Sequence, residues 1–177
     1  MILRSEKQLE TVFGIFLVTI GVFLRLVPHP SNFTPVTAIA LFSGVVLAPE
    51  IALVVPLIIM IASDLLIGPH ALYLLTWGSF FLVSLLGLAI RKNTKWSRIF
   101  LGTLGGSLLF YLVTNLGVFL YQGMYEKSLA GLFQCYVMAL PFFKNSVLGD
   151  LFFSVVFFGV FTAAKSYFHK PAHQKIG

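Results

Sequence analysis

Apolar residues fill six long stretches of this chain, and short polar or proline-containing segments separate them. An α-helix needs about 20 residues, or about 17 at the short end, to cross the hydrocarbon core of a bilayer. The pattern therefore predicts an all-α integral membrane protein, a six-transmembrane-helix bundle in one membrane domain spanning 1–177. The predicted helices cover 9–27, 34–48, 50–67, 71–90, 99–121 and 145–167.

The count of six depends on the second and third stretches, because only Pro49 and Glu50 separate them. If both stretches cross the membrane they form a tight hairpin, whereas merging them into one unit would leave five crossings. Basic residues near helix ends favour the cytoplasmic side. Six crossings with a cytoplasmic N-terminus place nine basic residues inside: Arg4, Lys7, Arg91, Lys92, Lys95, Arg98, Lys165, Lys170 and Lys175. The three outside are Arg25, Lys127 and Lys144. This distribution favours six crossings, with both termini and a basic tail at 168–177 in the cytoplasm.

Composition supports the membrane assignment. Hydrophobic residues make up 58% of the chain and charged residues 10%, and the mean hydropathy is +0.95. A soluble domain carries roughly a quarter charged residues. The net charge of +6 is spread over helix ends, which indicates topology rather than nucleic-acid binding. A single cysteine, Cys135, excludes an internal disulfide, and its apolar neighbours predict a packed thiol.

Small residues recur at four-residue spacing, which brings them onto one side of a helix. Gly102 and Gly106 form a GxxxG pair, and Ala40, Gly44 and Ala48 repeat in the second stretch. Such residues allow the backbones of neighbouring helices to approach closely. We expect them to serve helix packing rather than ligand binding.

Polar residues are expensive within a bilayer, so their positions carry information. In the six-crossing arrangement they gather toward the outer ends of the helices: Arg25, His29, Asn32, Thr34, Asp64, His70, Asn115, Lys144, Asn145 and Asp150. Helical spacing places Tyr111, Asn115 and Gln122 on one face, and Ser146, Asp150 and Ser154 on another. Two interpretations stay open. These stripes line a pocket, or Asn115 and Asp150 join helices by hydrogen bonds, with Asp150 neutralised by Arg25 or Lys144.

The first interhelical loop holds three prolines among residues 28–35, which predicts a stiff connection suited to a lid or pocket rim. Asn32 or Thr34 is expected to cap the second helix, with Pro35 at its first position. A cap does not exclude contact with a ligand.

Common catalytic motifs are absent from the sequence, which contains no GxSxG, HExxH or GxxxxGKS/T pattern. We therefore expect no enzyme and no cofactor. His29 and His70 are the two histidines that could meet as metal ligands, an arrangement we do not favour. His70 with Asp64 is the one pair of interest for an embedded enzyme.

Four segments together resemble an uncharacterised bacterial family of six-helix membrane proteins that carry only a provisional transport label. They are RLVPHPSNFTPVTAIALFSG at 25–44, SDLLIG at 63–68, TNLGVFL at 114–120 and CYVMALPFFKNSVLGDLFFS at 135–154. More distantly, the arrangement resembles the substrate-binding S components of energy-coupling-factor (ECF) vitamin transporters. That resemblance implies a ligand near the outer face and a membrane coupling subunit with two ATPases. The S-component Ala-x-x-x-Ala motif is not found in the first helix.

These observations lead to two hypotheses. The first is a transport protein of the bacterial inner (plasma) membrane, a substrate-capture subunit for uptake of a vitamin-like or other small organic solute. Its expected binding residues are Arg25 and Lys144 for anionic groups; Asn32, Thr34, Asn115, Asn145 and Asp150 as hydrogen-bond partners; Phe33, Tyr121 and Tyr125 for stacking; and also His29 and Asp64. The alternative is a non-transporting membrane scaffold or assembly protein.

Overall fold

The computed structural model describes the backbone of residues 2–68 and 70–168 and the side chains of residues 8, 10–68 and 70–166. Within these residues the chain forms seven α-helices and no strand, which confirms the all-α prediction. The helices are α1 (Ile2–Leu26), α2 (Val36–Val46), α3 (Pro49–Ile67), α4 (Tyr73–Ile90), α5 (Trp96–Tyr121), α6 (Leu129–Met138) and α7 (Leu140–Phe168). The expected basic tail beyond Phe168 and the side chains of Arg4 and Lys7 lie outside the described residues.

Four helices of the described chain are long and apolar enough to cross a bilayer: Pro49–Ile67, Tyr73–Ile90, Trp96–Tyr121 and Leu140–Ser166. Between 28% and 39% of each span is buried inside the protein, so most of its apolar surface faces outward. Leu65 on α3 is 80% exposed and Leu101 on α5 is 65% exposed. Outward apolar helices of this length indicate a membrane protein.

The additional helix, α6, lies between the fifth and sixth predicted helices, in a segment for which the sequence pattern predicts no element. It has ten residues, too few for a crossing, and its N-cap Ser128 accepts a hydrogen bond from the Gly131 amide at 3.1 Å. After Ala139 the chain enters α7 at Leu140, five residues before the predicted start. Pro141 fits there because the first turn of a helix needs no hydrogen bond from its amides.

Helix α2 occupies the centre of the bundle. It contacts α1, α3, α4, α5 and α7, and its residues from Val36 to Val45 are buried. Arg25 near the end of α1 contacts Asp64 near the end of α3, so these two helices run in parallel. Helix α2 therefore returns the chain in the opposite direction, and it ends where Arg91 donates a hydrogen bond to the Leu47 carbonyl oxygen at 3.0 Å.

These contacts define two ends of the molecule. The Arg25 end contains Arg25, the loop at 27–35 and α6, and the Arg91 end contains Arg91 and the loop at 91–95. Helix α2 has 11 residues and is about 16 Å long, so it spans only part of the distance between the ends.

The predicted cap of the second helix is wrong. Helix α2 begins at Val36, and its N-cap is Pro35, which makes no side-chain hydrogen bond. Asn32 instead lies in a turn closed by a hydrogen bond from the Phe33 amide to the Pro30 carbonyl oxygen at 2.9 Å. Its φ of 63° is in the left-handed region, which asparagine tolerates better than most residues.

Close approach of α2 and α4 confirms the packing role of Gly44. A Cβ atom there would overlap the Ser84 carbonyl oxygen of α4, and one on Gly87 would overlap the Leu41 carbonyl oxygen of α2. On α5, Gly102 faces Ile90 and Leu41 side chains, and Gly106 faces those of Thr37 and Val83.

Cys135 is a packed thiol, as predicted. It is buried on α6, and its sulfur lies 3.4 Å from the Asn115 carbonyl oxygen. Burial raises the pKa of the Cys135 thiol, which disfavours the thiolate.

Candidate functional site

An ion pair joins Arg25 and Asp64 at the Arg25 end. The guanidinium Nη1 lies 2.9 Å from Asp64 Oδ1 and also donates to the Ser63 hydroxyl. The second carboxylate oxygen, Oδ2, accepts from the Trp77 indole at 2.8 Å and lies 3.4 Å from His70 Nε2. Both oxygens of Asp64 are therefore occupied, and the charge of Arg25 is compensated. The proposed neutralisation of Asp150 by Arg25 is wrong because Arg25 pairs with Asp64.

Beside this pair, two adjoining cavities form a cleft between α4, α5, α7 and the 27–35 loop. Their volumes are about 340 and 120 Å³, and they share Asn32, Thr76, Phe110 and Ser146. The larger cavity is also lined by His70, Leu72, Tyr111, Thr114, Asn115, Val118, Phe142 and Phe143. The smaller is also lined by Arg25, Thr34, Thr37, Met60 and Phe80. "The cleft" below means both cavities.

The short central helix explains why space exists here. The first turn of α2 packs at the level of Val83 on α4, since both Thr37 and Val83 face Gly106 of α5. The turns of α4 nearest the Arg25 end, which include Thr76, extend beyond the start of α2. Where a longer helix would fill the bundle, only the proline-rich loop is present, and the remaining volume is the cleft.

The cleft wall offers hydrogen-bond acceptors from three helices. The hydroxyls of Thr76, Thr114 and Ser146 each donate to a carbonyl oxygen of their own helix, at 2.7–3.1 Å. Each keeps lone pairs that can accept from a ligand. The Asn115 amide nitrogen donates to the Tyr111 carbonyl oxygen at 2.7 Å, which leaves its Oδ1 as a further acceptor.

Arg25 supplies donors to the same space. All of its hydrogen bonds within the described residues come from Nη1, to Met60, Ser63 and Asp64. Arginine carries five N–H groups, so those on Nη2 and Nε remain to bind a ligand in the smaller cavity. An apolar wall stands opposite, where Phe80 and Phe110 stack with their ring centroids 5.0 Å apart.

A separate cavity of about 350 Å³ opens between α3 and α4 at the Arg25 end. Its lining is mostly apolar: Ile61, Asp64, Leu65, His70, Tyr73 and Trp77. His70 also lines the cleft, so this side chain lies between the two spaces.

Two of the predicted binding residues hold the loop on α7 instead of facing the cleft. The Asn145 amide donates to the Ser31 carbonyl oxygen at 3.0 Å. Phe33 lies against Gly149, where an added Cβ would be 3.2 Å from its backbone, and against the rings of Phe152 and Phe153. They fix the loop that forms one wall of the cleft.

The remaining predicted binding residues are dispersed. Arg25, Asn32, Thr34 and Asn115 meet at the cleft, and Asp64 contacts Arg25 from outside it. The others line none of the three cavities. His29 is exposed, and its Nδ1 lies 2.9 Å from the Pro30 carbonyl oxygen. Tyr121 and Lys144 are exposed, and Tyr125 is half-buried. Since Lys144 is exposed, it does not neutralise buried Asp150.

Asp150 lies below the cleft and is 2% exposed. Ser107 of α5 is 2.6 Å from its Oδ2, and the side chain of Thr37 on α2 lies close enough to interact with the carboxyl group. One turn further on, Ser154 bonds to Thr103 at 3.0 Å. This polar stripe on α7, which helical spacing predicted, joins three helices.

Sequence reasoning missed several site residues, including Thr76, Trp77 and Phe110. A threonine in the apolar outer half of the fourth stretch was an available signal for Thr76, because hydroxyls there are candidates for a pocket wall. Trp77 and Phe110 carried no such signal, since aromatic residues are common throughout this chain. No group of three metal-ligating side chains occurs among the described residues.

No curated protein and no solved structure matches this chain. A match to one family extends over residues 5–173, which is nearly the full length of the sequence. It includes all four segments on which the resemblance to an uncharacterised bacterial family rests. The protein therefore belongs to DUF6580, which is described as a family of unknown function.

Proposed function

We propose that this protein is a membrane transport protein that captures a small organic solute in the cleft. The observation that carries the proposal is the pair of adjoining cavities at the Arg25 end, of about 340 and 120 Å³. Small-molecule sites are typically about 300–1,000 Å³, apolar in most of their lining, with a few placed polar groups. The cleft has that size and that mixture.

The chemistry of the wall suggests the kind of solute. Arg25 provides N–H donors, Asn115 and the cleft hydroxyls provide acceptors, and Phe80 with Phe110 provides a flat apolar surface. A compact molecule with an apolar or aromatic body and both acceptor and donor groups, such as a vitamin-like solute, fits these groups. Because Asp64 compensates Arg25, the site does not require a strongly anionic ligand.

The positive-inside rule orients the molecule. It assigns the Arg91 end, with Arg91, Lys92, Lys95 and Arg98, to the cytoplasm, so the cleft opens outward. An outward site and the missing P-loop are the properties of a substrate-capture subunit like the S components. In this proposal a membrane coupling subunit with two ATPases supplies the energy, and the protein resides in the bacterial inner membrane with both termini inside.

The test fills the cleft and uses a control variant that loses the same kind of hydrogen bond. Thr76 lines both cavities and donates to Leu72, whereas Thr162 is exposed on α7 and donates to Phe158 in the same i−4 geometry. Purified wild type, Thr76→Phe and Thr162→Phe are analysed by mass spectrometry for small molecules that copurify. We expect one solute in wild type and Thr162→Phe, with at least a tenfold loss in Thr76→Phe. Equal solute content in all three would contradict the cleft as its site.

The alternative function, a membrane scaffold, rests on the interhelical bonds of Asp150 with Ser107 and of Ser154 with Thr103. A scaffold needs such bonds but no cleft. It predicts no copurifying solute and no difference between the two phenylalanine variants. Asn115 argues against it, because its side chain bonds to its own helix and joins no neighbour within the described residues.

A further inference from the structure

Asp150 is a carboxyl group buried within the apolar part of the bundle. It is 2% exposed, and no ion pair of Asp150 occurs among the described residues. An ionised carboxylate without a cation is strongly disfavoured in such surroundings, and intramembrane acids commonly mark ion or proton sites. The carboxyl must therefore be neutral or accompanied by a bound cation.

The hydrogen-bond partners distinguish these two states. Ser107 Oγ lies 2.6 Å from Asp150 Oδ2 and 3.0 Å from the Thr103 carbonyl oxygen. One hydroxyl has only one hydrogen, so Ser107 cannot donate to both oxygens. If Asp150 carries a proton, its O–H donates to Ser107, Ser107 donates to Thr103, and Thr37 donates to the other carboxyl oxygen. This arrangement satisfies each group with the atoms present.

The elements packed against α7 bring no compensating charge to Asp150. Helix α2 contains no titratable residue. On α5, Tyr111 lies one turn outward of Ser107 and donates to the Tyr136 carbonyl oxygen at 2.6 Å. On α6, Cys135 and Tyr136 bond to backbone oxygens of α5. Arg25, which lines the cleft together with Thr37, is bound to Asp64.

Thr37 connects the buried acid to the cleft. Its side chain lies beside Asp150 and lines the smaller cavity. Ser146, one turn before Asp150 on α7, lines the same cavity. A proton released by the carboxyl can therefore pass to water in the cleft. The carboxylate left behind would accept hydrogen bonds from both Ser107 and Thr37.

We propose that Asp150 is a proton-binding site at the floor of the cleft, whose carboxyl is protonated at neutral pH and exchanges its proton through the cleft. Occupancy of the cleft then affects this exchange, so that solute capture is linked to a proton. The linkage rests on the proposed function, whereas the protonation of Asp150 is testable without any solute. The two proposals can therefore fail separately.

Infrared spectroscopy of the full-length protein in phosphatidylcholine nanodiscs tests the site. A carboxylic acid absorbs in a carbonyl-stretch region where a carboxylate does not. We expect a carboxylic acid band at neutral pH that is lost in Asp150→Asn and kept in Glu50→Gln, whose exposed carboxyl serves as the control. Transfer into D₂O should shift the band, because the proton exchanges.

Ser107→Ala provides an independent assignment should Asp150→Asn fail to fold. Removing the hydroxyl that accepts the hydrogen bond from the acid O–H abolishes that bond, so the acid band should move to higher frequency. A spectrum that is unchanged in Ser107→Ala and Asp150→Asn shows that Asp150 is ionised and overturns the proposal. An acid band that never shifts in D₂O also overturns the proposal. An acid band that appears only when Na⁺ is replaced by choline overturns it in favour of a sodium site.

Discussion

The contacts of Arg25 show how a charged residue is accommodated near the membrane. Its guanidinium is bound to Asp64, whose second oxygen accepts from Trp77. Removing one member of a buried ion pair leaves the other charge uncompensated, and this costs more than the pair contributes when intact. Of the residues at the Arg25 end, Asp64 is therefore the one whose substitution should lower the free energy of unfolding most.

We predict that Asp64→Ala lowers the free energy of unfolding by about 3 kcal/mol, because Arg25 and the Trp77 N–H both lose their acceptor. Chemical denaturation in mixed micelles, followed by tryptophan fluorescence, measures the change. Glu50→Ala on the same helix is the control, since Glu50 is exposed and should stay within about 0.5 kcal/mol of wild type. Equal effects of both substitutions would show that the ion pair contributes little.

Asn115 has a different role from Asp64, since its side chain bonds to its own helix and lines the cleft. We predict that Asn115→Ala weakens solute binding about tenfold, because it removes one hydrogen bond to the solute. A tenfold change corresponds to about 1.4 kcal/mol of binding free energy. Stability should change little.

The measurement for Asn115→Ala is calorimetric titration with the solute identified by mass spectrometry. Gln122→Ala is the control, because Gln122 is exposed beyond the end of α5 and lines none of the described cavities. If Asn115→Ala instead lowered stability and left affinity unchanged, Asn115 would be a structural residue and the scaffold hypothesis would gain support.

At the scale of elements, the position of α2 depends on two glycines. The backbones of α2 and α4 touch at Gly44 and Gly87, so neither helix can accept a side chain there without moving apart. Separation would shift Thr37 and the cleft wall that it forms. The geometry of the site is thus tied to a helix contact at the Arg91 end.

We predict that Gly44→Ala destabilises the protein by about 2 kcal/mol, because the new methyl group overlaps the Ser84 carbonyl oxygen. The matched control is Gly78→Ala on α4, where an added Cβ meets nothing within 4 Å. That substitution should be neutral or stabilise by about 0.5–1 kcal/mol through helix propensity. Denaturation in mixed micelles compares the two, and a tolerated Gly44→Ala would mean that α2 can shift freely.

The hydrophobicity pattern predicted the four helices that are long enough to cross a bilayer, because each is a long apolar stretch, but it overestimated the length of α2, which has 11 residues. It did not predict α6, whose ten residues are too short to be recognised as a crossing. Nor did it predict the partner of Arg25, because Asp64 lies 39 positions away and only the packing of α1 against α3 brings them together. Helical spacing did predict the stripe of Ser146, Asp150 and Ser154, which depends on one helix alone.

The roles of the first loop could not be predicted from the sequence, for a similar reason. The sequence predicts Asn145 and Phe33 as binding residues because both are near the predicted outer face. The structure shows them in contacts between the loop and α7, at Ser31 and Gly149. Whether a polar residue lines a cavity or closes a loop depends on tertiary packing, which one sequence does not specify.

At the scale of the whole molecule, the cleft and the Arg25–Asp64 pair lie at one end and the basic loop at the other. Two basic residues at the Arg25 end have local partners: Arg25 pairs with Asp64, and the Lys127 ammonium donates to the Phe119 and Leu120 carbonyl oxygens that end α5. These exceptions to the charge distribution thus have structural explanations. The excess of basic residues at the Arg91 end still favours a cytoplasmic location for that end.

Thiol labelling tests this orientation. In a Cys135→Ala background, Gln122→Cys and Lys92→Cys place single exposed thiols at the Arg25 end and the Arg91 end. In intact spheroplasts, a membrane-impermeant maleimide should modify Gln122→Cys and should reach Lys92→Cys only after permeabilisation.

An N-terminal epitope tag should behave like Lys92→Cys, because six crossings put both on the same side. If the tag were protected while Lys92→Cys was labelled, the chain would cross five times, with α2 and α3 together making a single crossing. That outcome would contradict the parallel course of α1 and α3. The cleft would then open to the side opposite the one that the proposed function requires.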